Sequence, residues 1–89
     1  MDLDQLLRHY FGTDDPHDAA LSVQGRAHEA IAIDFGVERD PARRFALWSL
    51  MDALGFAPVP AEAFAKEPAL RAAAERYLDA AYRIEREHG

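Results

Sequence analysis

Apolar positions recur at helical spacing along most of the chain, and no segment shows the apolar–polar alternation of a strand over a useful length. The most legible stretch is Asp40 to Gly55. Asp40 offers a carboxylate to the free N–H groups of a helix start, and Pro41 suits the first helical position, where a missing donor costs nothing. Gly55 suits the left-handed residue that closes a helix, and Phe56 is the apolar residue that folds back onto the last turn. At an advance of about 100° per residue, Phe45 and Trp48 lie on one side, Leu47, Leu50 and Leu54 on the other, and Met51 between them. Only Ser49 and Asp52 interrupt this surface. A helix apolar nearly all round is covered on every side. The pattern therefore predicts a central helix over 41–54, packed between the second and last helices or covered partly by a second subunit.

Four further helices follow from the same reasoning. Leu3, Leu6, Leu7, Tyr10 and Phe11 form one stripe over 2–11, with Asp2 and Asp4 at the positive end and Gly12 as the stop. Asp15 and Pro16 repeat the start signal, with Asp18 as a further acceptor, and Gly36 and Val37 repeat the stop, predicting a helix over 16–35. Its apolar face is Ala20, Leu21, Ala27, His28, Ile31, Ala32 and Phe35, and Gly25 interrupts its polar side. Pro58 and Pro60 separate a short helix over 60–66, anchored by Phe64. Pro68 opens a last helix over 68–87, whose apolar face of Leu70, Ala73, Ala74, Tyr77, Ala81 and Ile84 is flanked by Leu78. Opposite that face, Arg71, Glu75, Asp79, Arg83 and Glu87 make a charged row at four-residue steps, the mark of a solvated helix side. The expected fold is all-α, a compact bundle of four to five helices in a single domain spanning 1–89.

Composition narrows the class of function. A hydrophobic content of 49% supplies a core for a chain of 89 residues. The net charge of -6 argues against nucleic acid, whose recognition rests on clustered Lys and Arg neutralising phosphates. With no cysteine there is no disulfide or thiolate metal site, in keeping with a reducing cytoplasm. The segment MDLDQLLRHY is acidic and lacks a long apolar run, so neither a secretory signal nor a membrane span is expected, and a cytoplasmic protein is.

Residues that carry chemistry are sparse. His9, His17, His28 and His88 include no pair at the three- or four-residue spacing that puts two imidazoles on one helical face, so no metal site is expected. Asp14, Asp15, His17 and Asp18 lack the spacing and closing glutamate of a calcium loop and suit helix capping better. His28 and Gln24 border the apolar face of the second helix and need partners when buried; a backbone carbonyl or Tyr77 is the expected partner of His28. Asp52, on the Trp48 side of the central helix, marks a solvent strip or, facing His28 across a cavity, an acid–base pair. Arg39, Arg43 and Arg44 surround the start of the central helix, where positive charge is mildly unfavourable, so something compensates them: the chain's own acids, Glu38 and Asp40 first, or a bound anion.

No nucleophile elbow, Gly-rich phosphate loop or cofactor motif is present. The attachment serine of acyl carrier proteins and the Arg-Gly-x-x-Glu of flavinylation helpers are also missing, and the apolar faces carry none of the inward cations that a small helical chorismate mutase needs. The expected function is a non-catalytic interaction or accessory protein, binding a protein partner or a second copy as a homodimer, with no membrane or nucleic-acid role. The competing expectation is a small-molecule or anion site formed by Arg39, Arg43, Arg44, Trp48, Asp52 and His28.

Overall fold

The computed structural model describes residues 3–13, 15–16 and 19–88, with side-chain surroundings through Ala81. It is all-helical: α1 (Leu3–Phe11), α2 (Leu21–Val37), α3 (Pro41–Leu54), α4 (Pro60–Ala63) and α5 (Pro68–His88), with no strand among the described residues. The chain forms two compact units, Met1–Ala57 and Pro58–Gly89.

In the first unit α1, α2 and α3 pack on one another. Leu6 and Phe11 of α1 are buried, and the helix ends at Gly12, whose φ of 74° is left-handed and whose N–H donates to the Arg8 carbonyl. The expectations for Asp2, Asp14, His17 and Asp18 fall on residues outside those described.

Both predicted ends of α2 need correction. Asp15 and Pro16 do not open it. Ala19 N–H donates to the Pro16 carbonyl at 3.3 Å, but the helix begins at Leu21 behind Ala20, which is extended and offers no side-chain acceptor. Pro16 and Ala19 are only half-buried and Ala20 is exposed, and packing rather than propensity sustains most helices in proteins. Gln24 holds this entry instead, its Nε2 donating to the Ala19 carbonyl at 2.8 Å.

At the other end α2 runs through Gly36, which lacks a positive φ, to Val37, and Glu38 N–H still donates to the Asp34 carbonyl. Glu38 and Asp40 are both extended, and Pro41 disfavours the helical region at Asp40, which keeps α2 from running on into α3.

The signals of α3 are realised as predicted. Asp40 Oδ2 accepts from Arg43 N–H at 3.0 Å, with Pro41 in the first turn. Gly55 is left-handed at φ 86°, Phe56 N–H reaches the Met51 carbonyl and Gly55 N–H the Asp52 carbonyl, which is the Schellman arrangement. Leu47, Trp48, Leu50 and Met51 are buried, while Phe45 and Leu54 are half-buried. Leu47 and Leu50, expected as core or dimer seam, are thus covered within the chain itself.

In α2 the buried side is Ala27, Ile31 and Phe35, with His28 half-buried. Leu21 and Ala32, predicted for that side, are exposed, and so are Ile33 and Val37.

In the second unit α4 is a single turn, shorter than predicted. Residues 64–66 form a turn in which Glu67 N–H donates to the Phe64 carbonyl, just before Pro68 starts α5. Phe64 is fully buried, as is Ala74 of α5; Leu70, Ala73 and Leu78 are half-buried, and Tyr77 is partly exposed. The first step of the charged row forms, with Arg71 Nε donating to Glu75 Oε1 at 2.8 Å on the exposed side. The partners Arg83 and Glu87 lie beyond the described side chains.

Candidate functional site

The polar groups that converge in the first unit do so beside α1. A cleft of about 340 Å³ opens between α1, α2 and the start of α3. Leu6, Val37 and Leu47 form its apolar walls, and Tyr10, Asp34, Glu38 and Arg43 bring polar atoms to it. Tyr10 and Asp34 are its defining pair: the phenol O–H donates to Asp34 Oδ2 at 2.5 Å across 24 positions of sequence. Burial, the hydrogen bond to Asp34 and the negative charges of Asp34 and Glu38 all push the Tyr10 pKa well above the ordinary tyrosine value. Tyr10 therefore stays protonated and serves as a fixed donor, while Asp34 keeps its second oxygen for another donor. The His9 ring meets Tyr10 edge-on with centroids 4.8 Å apart. A shallower hollow of about 420 Å³, lined by Val23, Arg26, Ala27 and Ala30, shares His9, Tyr10 and Asp34 with the cleft.

The pattern of apolar positions hides this pair, because Tyr10 belongs to the apolar stripe of α1. One signal was available: Asp34 is a carboxylate inside the run Ala30-Ile31-Ala32-Ile33-Asp34-Phe35, and on a helix such a group stands beside the buried stripe and needs a donor.

The sequence-predicted residues are distributed differently. Arg44 is turned back onto α2, where its Nη1 donates to the carbonyls of Phe35 at 2.8 Å and Glu38 at 3.3 Å and its guanidinium carbon lies 4.4 Å from the centre of the Phe35 ring. It satisfies the C-terminal carbonyls of one helix from the first turn of the next. The compensation expected for the arginines is thus a helix terminus in the case of Arg44. Arg43 is exposed and lines the cleft, and Arg39 is exposed on the connection. Trp48 is buried, its ring tilted against Phe45 at 5.8 Å.

Asp52 is half-buried, and its carbonyl takes part in closing α3. His28 stacks on Phe56 at 4.4 Å and meets the edge of Phe11 at 6.0 Å. It lines a recess of about 170 Å³ with Phe11, Pro16, Gln24, Ala53 and Leu54. Neither Trp48 nor Asp52 lines any of these three cavities, and Asp52 does not face His28 across the recess. Of the six predicted residues, Arg43 alone reaches the cleft.

Among the described residues no group of three His, Cys, Asp or Glu side chains is placed to hold a metal ion, and no helix is long and apolar enough to cross a membrane. No known protein family matches the chain, and neither a curated protein nor a solved structure shows significant similarity to it.

Proposed function

We propose that this chain is a non-catalytic protein-interaction module of the cytoplasm that docks through the outer side of α2. The observation that carries this reading is the exposure of Leu21, Ile33 and Val37, at 84%, 58% and 73%, on one helix. A solvated helix normally turns charged residues outward. The outer side of α2 has Arg26 and Glu29 as its only charges and otherwise consists of apolar, small or hydroxyl side chains. Ile33 and Val37 lie one turn apart and make a neighbouring exposed apolar pair, and apolar surface grouped in this way is the usual mark of an interface. The cytoplasmic assignment rests on the absence of cysteine from the sequence.

Affinity purification from the native host, comparing the wild-type chain with the double substitution Ile33→Glu and Val37→Glu, tests the proposal. A stoichiometric polypeptide, another copy of the chain included, is expected with the wild type and lost with the variant. Association that survives the substitutions, or no association at all, refutes it.

A second reading is favoured by the cleft: a small ligand carrying an acidic group for Arg43, a hydrogen-bond donor for the second oxygen of Asp34 and an apolar part for the Leu6, Val37 and Leu47 walls. Its test is a thermal-shift screen of aliphatic and aromatic acids, with Arg43→Ala abolishing any rise in Tm.

A further inference from the structure

The outer side of α2 is not only apolar but self-complementary, and the geometry points to a second copy of this chain as its occupant: we propose an antiparallel α2–α2 pair about a two-fold axis. This inference rests on the interaction reading above and names its partner. The helix has 17 residues, roughly 25 Å of length. All of its outward residues are exposed, from Leu21 at one end to Val37 at the other.

Arg26 and Glu29 are three residues apart at the middle of this side, with opposite charge. Place the two-fold axis level with the point midway between them, between Ala27 and His28. Antiparallel symmetry then sets Arg26 of one protomer level with Glu29 of its partner, and the reverse contact forms as well. The like pairs, Arg26 with Arg26 and Glu29 with Glu29, are offset by three residues, about 4.5 Å along the axis. Attraction therefore outweighs repulsion in this register. A parallel pair in register would set like on like.

The remaining side chains agree with the same register. Ser22 falls level with Ile33 of the partner. Gly25 and Ala32 lie on the same edge of the face and come within about 3 Å of each other's level across the pair, and Leu21 comes equally close to the level of Gly36. Ile33 and Leu21 thus meet small side chains, and the small pair Gly25 and Ala32 lets the two helices approach closely. A Cβ added at Gly25 or Gly36 would meet nothing within 4 Å in the isolated chain, so no intrachain contact requires glycine at either position. Arg26 is already laid along the face, its Nε 3.4 Å from the Ser22 carbonyl. A single pair of short helices buries less than a standard interface, so the expected affinity is micromolar or weaker.

Charge reversal tests the pairing in solution. Wild type, Arg26→Glu and Glu29→Arg are followed by sedimentation and multi-angle light scattering up to millimolar concentration, with circular dichroism confirming that each exposed-site variant is folded. Wild type is expected to reach the mass of a dimer. Each reversed variant alone brings like charges together twice and should dimerise about tenfold more weakly.

An equimolar mixture of the two variants restores both opposite-charge contacts and should recover wild-type association as a heterodimer. A strictly monomeric wild type overturns the inference. So does a dimer indifferent to the reversals, or a mixture no better than its components. A monomeric wild type that nevertheless loses a different partner through Ile33→Glu and Val37→Glu refutes self-pairing and leaves the interaction reading intact.

Discussion

Arg44 joins the end of α2 to the start of α3, and its replacement by alanine measures that junction. The bond to the Phe35 carbonyl is short, comes from a charged donor and is half-buried, so it contributes about 1.5 kcal/mol. The longer bond to the Glu38 carbonyl adds a few tenths. The guanidinium over the Phe35 ring adds about 0.5 kcal/mol. Opposing these, removing a positive charge from the first turn of α3 recovers about 0.5 kcal/mol. The expected net loss for Arg44→Ala is therefore about 2 kcal/mol, enough to lower the urea midpoint by about 1–2 M at an unchanged slope.

Urea titration followed by far-ultraviolet circular dichroism reads this directly, and Arg43→Ala is the control. Arg43 is exposed, and the bond it makes to Asp40 uses its backbone N–H, which the substitution retains. Its loss should stay within about 0.5 kcal/mol. Equal effects at the two positions, or an Arg44→Ala variant as stable as wild type, would show that the carbonyl contacts do not hold the junction.

Four further outcomes are expected. Tyr10→Phe leaves Asp34 without its phenol donor at a half-buried site and should cost about 1 kcal/mol in chemical denaturation. Because the folded-state pKa of Tyr10 is raised, the native state keeps a proton that the unfolded chain releases above about pH 10, so stability falls as pH climbs past that point. The fall should be shallower in Tyr10→Phe, and parallel curves would contradict the assignment. Asp40→Ala removes the side-chain cap of α3 and should lower stability by about 1 kcal/mol. Gly55→Ala places a Cβ on a residue at φ 86° and should cost about 1 kcal/mol, read as a lower thermal midpoint.

Local backbone chemistry made α3 readable. Asp40, Pro41 and Gly55 act within four residues of their own positions, and neighbours in sequence sufficed to place both ends. The same signals misled at α2, because Asp15 with Pro16 and Gly36 with Val37 are permissive: whether a helix starts or stops there depends on how much the adjoining turn can bury and on the residues downstream. The cleft was out of reach for a related reason. Tyr10 and Asp34 are 24 positions apart, and no rule of spacing links them. Arg44 was recognised as a charge in need of compensation, but its partners are carbonyls of the preceding helix, identified only once α2 ends where α3 begins.

The apolar excess that the sequence places on α3 belongs, in the fold, to α2, whose outward glycines provide a test with effects of opposite sign. Gly25 sits in the helix interior with open space at its Cβ position. For the isolated chain Gly25→Ala should therefore add about 1 kcal/mol of stability, through helix propensity alone. If α2 pairs with a second copy, the added methyl group falls where the partner's Ala32 approaches, and the two helix axes are pushed apart. Thermal stability at high dilution should rise while the tendency to dimerise falls. A variant that gains in both would show that the α2 face is not closely packed against a partner, and one that loses in both would show that Gly25 is needed within the chain itself.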